Sequence, residues 1–159
     1  MKIQISIPKQ QLTLYGEESN VLRRYIVSTA TNGAGEKQGS NCTPRGKHIV
    51  RAKIGAGAPL NTVFRGRRPT GEIYSPELGE QFPNRDWILT RILWLSGREP
   101  GFNRLGDVDT MRRYIYVHGS PDSAPMGKPG SIGCVRMRNR DIIELFELVQ
   151  PYTSVDIIG

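Results

Sequence analysis

The chain has 159 residues, of which 37% are hydrophobic and 23% are charged, and its formal net charge is +7. This length and composition suit one folded domain with its own core, and they exclude a disordered or fibrous chain. The basic residues are scattered and no nucleic-acid-binding motif accompanies them, so the charge favours a solvated surface or attraction to a small polyanionic substrate. We therefore expect no nucleic-acid partner.

The first half of the chain alternates apolar and polar residues, which is typical of half-buried strands. This alternation predicts strands over 3–7, 12–15, 21–28 and 47–54. The polar loop before the last of these contains several glycines but lacks the Lys-Ser or Lys-Thr ending of a phosphate-binding loop. Residues 55–83 are predicted to be loop-like.

The second half begins with the most hydrophobic segment, residues 87–95, whose β-branched and aromatic content predicts a buried strand. A loop over 97–112 and a strand over 114–118 follow. Asn139 is then expected to cap the chain's one convincing helix, which ends before Pro151. The predicted apolar face of this helix consists of Ile142, Leu145, Phe146 and Val149. With a closing strand over 155–158, the sequence predicts a single, mainly β domain over 1–159.

The chain contains only two cysteines, Cys42 and Cys134, and two histidines, His48 and His118. At most one disulfide could form, so a reducing compartment is the simpler expectation. CxxC and HxxxH spacings are both missing, and we therefore predict no metal site and no cofactor. No apolar run reaches the length of a membrane span, and no secretory signal follows Met1. A cytoplasmic location is expected if Met1 is the native start, and a periplasmic one if a signal peptide was removed.

The stretch from residue 115 to 138 has a histidine and a thiol at the two ends of a loop rich in Pro and Gly. A cysteine attacks as the thiolate, and His118 is a base of suitable pKa, with fifteen residues between it and Cys134. The backbone N–H groups of Gly133 and Cys134 could stabilise an oxyanion, and Arg136 adds positive charge. Composition and spacing alone also fit a buried structural cysteine and a satisfied histidine.

The segment His118…Ser131-Ile132-Gly133-Cys134-Val135-Arg136 resembles the signature of the YkuD-type L,D-transpeptidases. That family has an upstream His, a spacing of about fifteen residues, and a [Ser/Thr]-X-Gly-Cys-hydrophobic-[Asn/Arg] block. The resemblance extends to the early strands and the C-terminal helix, and it implies a YkuD-like β-sandwich or barrel. Ile132 departs from the better-known motif, which has a second His at this position.

The resemblance implies roles for six residues. Cys134 matches the nucleophile, His118 matches the general base, and the carbonyl of Gly119 matches the group that orients the imidazole. The other three form the immediate surroundings: Gly133 as an oxyanion donor, Ser131 shaping the site, and Arg136 contacting a substrate carboxylate. Cys42 lacks a basic neighbour and is interpreted as structural, and His48 as a packing residue.

The activity implied by the resemblance is cleavage of the bond between meso-diaminopimelate and D-alanine in a murein tetrapeptide, through a thioester on Cys134. Water as acceptor gives an L,D-carboxypeptidase of peptidoglycan recycling, which suits a cytoplasmic enzyme that meets soluble muropeptides. A stem-peptide amine or a D-amino acid gives an L,D-transpeptidase, including 3→3 cross-linking.

Carbapenem-type β-lactams are expected to acylate the same thiol. A different class, a non-catalytic peptide-binding domain, is disfavoured because both His118 and Cys134 are present. Residues 55–83 and 97–112 are expected to wall the pocket.

Overall fold

The computed structural model describes residues 1–159, with ten strands and two helices. The first five strands are β1 (Lys2–Ser6), β2 (Gln11–Tyr15), β3 (Val21–Ser28), β4 (Gly46–Ile54) and β5 (Thr62–Arg65). The other five are β6 (Arg68–Ile73), β7 (Ile88–Gly97), β8 (Tyr116–Ser120), β9 (Val135–Arg138) and β10 (Ser154–Ile158). The helices are α1 (Pro76–Gln81) and α2 (Asn139–Leu148). Neither helix has the length and apolar character needed to cross a bilayer.

Eight of the strands close into a barrel in the order β4-β10-β1-β2-β3-β9-β8-β7, and pairing of β7 with β4 completes the circle. The β5–β6 hairpin joins the N-terminal end of β7, outside the closed ring. Most neighbours are antiparallel, whereas β1 and β10, and β8 and β9, run parallel. The predicted mainly β fold with a helix after the cysteine motif is confirmed, and the architecture is a barrel.

The alternation in the first strands has the expected cause, because Ile3, Ile5, Leu12 and Leu14 are fully buried in the barrel core. Burying each such side chain stabilises the fold by roughly 1.5–3 kcal/mol. The apolar face of α2 joins the same core and packs against β7, β8 and β9. The helix thereby packs against the core side of β7, β8 and β9, the strands next to the predicted His118 and Cys134 site.

The predicted cap of α2 is wrong. The helix begins at Asn139 itself, Arg138 is the N-cap residue, and no side chain caps the helix. The Asn139 amide is buried and is used elsewhere: its Oδ1 accepts from Thr90 Oγ1 at 2.7 Å, and its Nδ2 donates to Asn61 Oδ1 at 2.8 Å. A buried amide must satisfy its hydrogen bonds, and the partners from β7 and from the loop before β5 do so here.

The loop prediction for residues 55–83 is also wrong, because this segment contains the β5–β6 hairpin and α1. Strand β6 is almost entirely exposed, so it lacks the apolar alternation by which a half-buried strand is recognised. The six residues of α1 bury no side chain, and the Ser75 hydroxyl caps the helix by accepting from the N–H of Leu78 at 3.2 Å. Tyr114 was predicted to lie in a strand but precedes β8, with φ at +57°.

Candidate active site

The parallel pair β8–β9 brings the two ends of the Pro- and Gly-rich loop together. Val117 pairs with Val135 and His118 with Arg136. The two valines point into the barrel core. Because strand side chains alternate, His118 lies on the opposite face of the sheet. Cys134, one position before Val135, contacts Tyr116 on that face. The predicted base and thiol therefore share one face of two adjacent strands.

His118 is fully buried, and its two ring nitrogens have different surroundings. Nδ1 lies 2.6 Å from the carbonyl oxygen of Gly119. A carbonyl can only accept, so Nδ1 carries the proton and donates it. Nε2 then holds a lone pair, and no group in the protein bonds to it. Burial lowers the pKa of His118, and the nearby Asp86 carboxylate opposes this effect only partly. The ring is a neutral imidazole with a free basic nitrogen.

Cys134 is 8% exposed, and its sulfur contacts backbone rather than imidazole. Sγ accepts from the N–H of Tyr116 at 3.3 Å and faces the carbonyl oxygen of Tyr114 at 3.4 Å. Burial raises the pKa of the thiol to about 12, and the N–H of Tyr116 and the arginines Arg136 and Arg113 counteract this only in part. The thiol is therefore protonated at neutral pH, and it makes no hydrogen bond to His118 in this conformation.

The backbone around the thiol is fixed by a set of short hydrogen bonds. The Ser131 hydroxyl donates to the carbonyl of Cys134 at 2.5 Å and accepts from the N–H of Gly133 at 3.2 Å. Thr43 Oγ1 donates to the carbonyl of Gly133 at 2.9 Å. Gly133 has φ at +134°, and a Cβ there would lie 3.1 Å from Cδ1 of Ile115, so glycine is required. The predicted oxyanion donor Gly133 is thus engaged by Ser131 in the free protein.

Arg136 lies opposite His118 and is also engaged. Its guanidinium forms an ion pair with Asp86 at 3.0 Å and donates to the carbonyl of Gly130 at 2.9 Å. A cleft of about 490 Å³ exposes Cys134 and is lined by Asp86, and a second cleft of about 610 Å³ is lined by Arg136. The Arg136–Asp86 pair therefore stands between the two clefts, next to the buried imidazole.

Several wall residues are not apparent from the sequence motif. Arg67, Asp86 and Arg113 line the cleft over Cys134, and Tyr74 and Trp87 line the second one. The expectation that residues 55–83 form walls agrees with this arrangement. Residues 97–112 line neither cleft, contrary to expectation. Nothing in the sequence around Arg67, Asp86 and Arg113 indicates that these residues line the cleft over Cys134.

The remaining cysteine and histidine contact other groups than His118 and Cys134. Cys42 is a free thiol whose sulfur faces the carbonyls of Asn32 and Ser40 at 3.5 and 3.6 Å. His48 is buried, with Nδ1 2.9 Å from the carbonyl of Gly46 and Nε2 2.9 Å from Thr110 Oγ1. No group of three His, Cys, Asp or Glu side chains is arranged to hold a metal ion.

Comparison with known proteins adds to this geometry. The model of the L,D-transpeptidase catalytic domain family YkuD matches residues 1–157. The Bacillus subtilis protein named as the L,D-transpeptidase YkuD is 41% identical over 46 residues, which make up 29% of this chain and 28% of that protein.

Two solved structures share the fold at low identity. The L,D-transpeptidase of Xylanimonas cellulosilytica aligns with a TM-score of 0.55 and 21% identity, over 98% of this chain and 59% of that one. L,D-transpeptidase 3 of Mycobacterium tuberculosis, solved with a faropenem-derived adduct, aligns with a TM-score of 0.55 and 14% identity, over 99% of this chain and 59% of that one. The chain thus spans less than two thirds of these relatives. On the family match, it belongs to the YkuD family of L,D-transpeptidase catalytic domains.

Proposed function

We propose that this protein cleaves the meso-diaminopimelate–D-alanine bond of murein tetrapeptides through a thioester on Cys134. The observation that supports the proposal most strongly is the shared face of His118 and Cys134. A neutral imidazole with an unpartnered Nε2 lies there on the same face as a thiol that opens into a cleft of about 490 Å³. A base with a free lone pair and an adjacent thiol are the two parts that nucleophilic catalysis requires.

In the proposed reaction the Cys134 side chain turns from the Tyr114 carbonyl towards Nε2 of His118, which takes the thiol proton. The thiolate attacks the carbonyl carbon of diaminopimelate, and the N–H of Cys134 stabilises the resulting oxyanion. The imidazolium returns its proton to the amine of D-alanine as the C–N bond breaks. Because Nδ1–H stays bonded to the Gly119 carbonyl, the same nitrogen handles both proton transfers.

For the second half-reaction we propose water as the acceptor, which makes the protein an L,D-carboxypeptidase. His118 would deprotonate the water, and hydrolysis would release the tripeptide. This activity fits a cytoplasmic role in peptidoglycan recycling, where soluble tetrapeptide fragments are the substrate. The cleft over Cys134 supports the choice, because it has the size of a site for one small peptide and is open to solvent.

The second cleft favours an alternative acceptor. About 610 Å³ of space on the other side of the Arg136–Asp86 pair could hold a stem peptide or a D-amino acid. Its amine would attack the thioester, giving 3→3 cross-linking or D-amino acid exchange. The matched relatives are named as transpeptidases, which supports the same alternative.

The test is incubation with purified disaccharide tetrapeptide, with the products identified by mass spectrometry. Tripeptide and free D-alanine without dimers are expected from the wild type, and neither from Cys134→Ala. Formation of 3→3-linked dimers would contradict the carboxypeptidase activity and support the transpeptidase activity instead. Release of D-alanine by the Cys134→Ala variant would contradict the thioester itself.

A carbapenem-type β-lactam is proposed as a covalent inhibitor of the same thiol. One solved relative carries a faropenem-derived adduct, another was solved in complex with the carbapenem imipenem, and a strained lactam carbonyl can replace the peptide carbonyl at Cys134. Intact-mass analysis should show one adduct on the wild type and on Cys42→Ala. No adduct is expected on Cys134→Ala.

A further inference from the structure

Arg67 occupies an unusual position at the edge of the Cys134 cleft. It is the second residue of the tight turn Gly66-Arg67 that joins β5 to β6, and both residues have positive φ, +56° and +64°. Positive φ is expected at both central positions of such a hairpin turn, and it is costly for a residue with a side chain. An arginine in this conformation needs compensation from its surroundings.

The guanidinium of Arg67 is held by three aromatic side chains. Its central carbon lies 4.7 Å from the ring centre of Trp94 and 4.7 Å from that of Tyr114. Nη1 donates to the hydroxyl of Tyr116 at 3.0 Å. The aromatic rings hold the planar group in one orientation without neutralising its charge. This is a preorganised cation, not a mobile surface arginine.

Arg67 has no carboxylate partner in the protein, although the cleft contains one acidic residue. That residue, Asp86, is paired with Arg136. The other arginine of the cleft, Arg113, donates only to the neutral oxygens of Gly35, Ser40 and Cys42. The cleft over the thiol therefore carries excess positive charge, and Arg67 retains N–H donors for a carboxylate.

Tyr116 sets the separation between this cation and the nucleophile. Its backbone N–H contacts Cys134 Sγ at 3.3 Å, and its hydroxyl contacts Arg67 at 3.0 Å. The two groups therefore lie at opposite ends of one tyrosine residue. An extended diaminopimelate side chain is about as long from Cα to its distal carboxylate as tyrosine is from Cα to its hydroxyl oxygen. A diaminopimelyl residue attacked at Cys134 can lie along Tyr116 and present its distal carboxylate to Arg67.

We infer that Arg67 binds the distal carboxylate of the diaminopimelyl residue and thereby selects the acyl donor. The inference rests on the proposed function and names the substrate feature that the cleft recognises. Arg67 takes no part in bond breaking. Its effect is discrimination between donors that carry a free distal carboxylate and donors in which this group is amidated.

The test is equilibrium binding to Cys134→Ala, which cannot react, using the free tetrapeptide and the same peptide with an amide at the distal carboxyl. Hydrogen bonds to charged groups lead us to expect about tenfold tighter binding of the free acid. In Arg67→Gln with Cys134→Ala this ratio should fall to about one. Arg68→Gln is the matched control, because Arg68 lies in the same hairpin, is exposed and forms no ion pair or side-chain hydrogen bond.

The outcomes separate this inference from the proposed function. Equal binding of both peptides to the protein with intact Arg67, or an unchanged ratio in Arg67→Gln, would overturn the role of Arg67 and leave the function standing. If neither peptide binds, the tetrapeptide substrate is wrong and the inference falls with it. Thermal unfolding of both arginine variants checks folding, and the ratio between peptides does not depend on the fraction of folded protein.

Discussion

The two histidines of this chain are buried equally and differ in one contact. His48 is 1% exposed and His118 is fully buried, and each donates from Nδ1 to a backbone carbonyl. In His48 the Nε2 lone pair accepts from the hydroxyl of Thr110, and in His118 it has no partner. Buried polar atoms are almost always hydrogen-bonded. The unpartnered nitrogen of His118 is therefore an exception that supports the proposed role of this imidazole as the base.

The two imidazole rings also lie in different surroundings. His48 lies in β4, paired to β10 and β7, where a satisfied imidazole stabilises the barrel. His118 lies in β8 near Arg136 and Asp86, on the same face of the sheet as Cys134. Burial lowers the pKa of both rings, to about 4 for His48. Neutrality alone therefore does not distinguish the two rings, whereas the free lone pair of His118 does, and it supports the proposed role of His118 as the base.

The largest expected effect comes from removing the free lone pair. We expect His118→Gln to lower the rate of D-alanine release by about 10²–10⁴-fold, the usual contribution of a general base. The matched change His48→Gln should leave the rate per folded molecule nearly unchanged. Initial rates measured at equal concentrations of folded protein test this pair. An equal loss in both variants would contradict the comparison.

The second effect is on stability. His48 has a pKa of about 4 in the folded protein against 6.5 ordinarily, so between these values the unfolded chain binds a proton that the folded one does not. The contribution of His48 to the free energy of unfolding is therefore fully present above pH 6.5. It is lost as the pH falls towards 4, and the total loss is about 3 kcal/mol. Urea unfolding of the wild type and His48→Gln at both pH values measures the difference. Equal losses in the two proteins would refute the role of His48.

A smaller effect is expected when His48 is made to resemble His118. Thr110→Val removes the hydroxyl that satisfies Nε2 and should lower the free energy of unfolding by about 1–3 kcal/mol, the cost of a buried unsatisfied group. Activity should remain, because the thiol and His118 are untouched. Chemical unfolding at neutral pH checks the value. A stability equal to that of the wild type would show that an unpartnered buried imidazole nitrogen carries little cost in this barrel.

The smallest effect concerns the resting thiols. Since burial raises the pKa of Cys134 to about 12 and only 8% of the residue is exposed, iodoacetamide should modify the half-buried Cys42 first. Peptide mass spectrometry over a time course at neutral pH gives the order. Faster labelling of Cys134 would mean that a thiolate exists before substrate binds, contrary to the arrangement described above.

Much of the fold follows from local pattern. Strands β1 and β2 were predictable because one face of each is buried, and α2 because its apolar residues recur at helical spacing. The exposed β6 gives no such signal. Asn139 looked like a cap, but its amide is bonded to Thr90 and Asn61, which are 49 and 78 residues away in sequence. Contacts of that range leave no mark on local periodicity.

The residues of the candidate site also fall into two groups, those that local sequence predicts and those that only the tertiary structure reveals. His118 and Cys134 were predictable because one short loop joins them and because they match a family signature. The surrounding charges Arg67, Asp86 and Arg113 reach the cleft through strand order, and nothing in their sequence neighbourhoods indicates it. The missing partner of Nε2 is a property of packing, and only the three-dimensional arrangement reveals it.

The proposed thioester on Cys134 can be detected by measuring the mass of the protein during turnover of murein tetrapeptide, with rapid acid quenching. We expect an added acyl group whose mass equals that of the tetrapeptide minus D-alanine, located on Cys134 in the wild type and in Cys42→Ala. Cys134→Ala should carry no added mass and release no D-alanine. Release of D-alanine by Cys134→Ala, or an acyl group found on Cys42, would show that Cys134 is not the nucleophile.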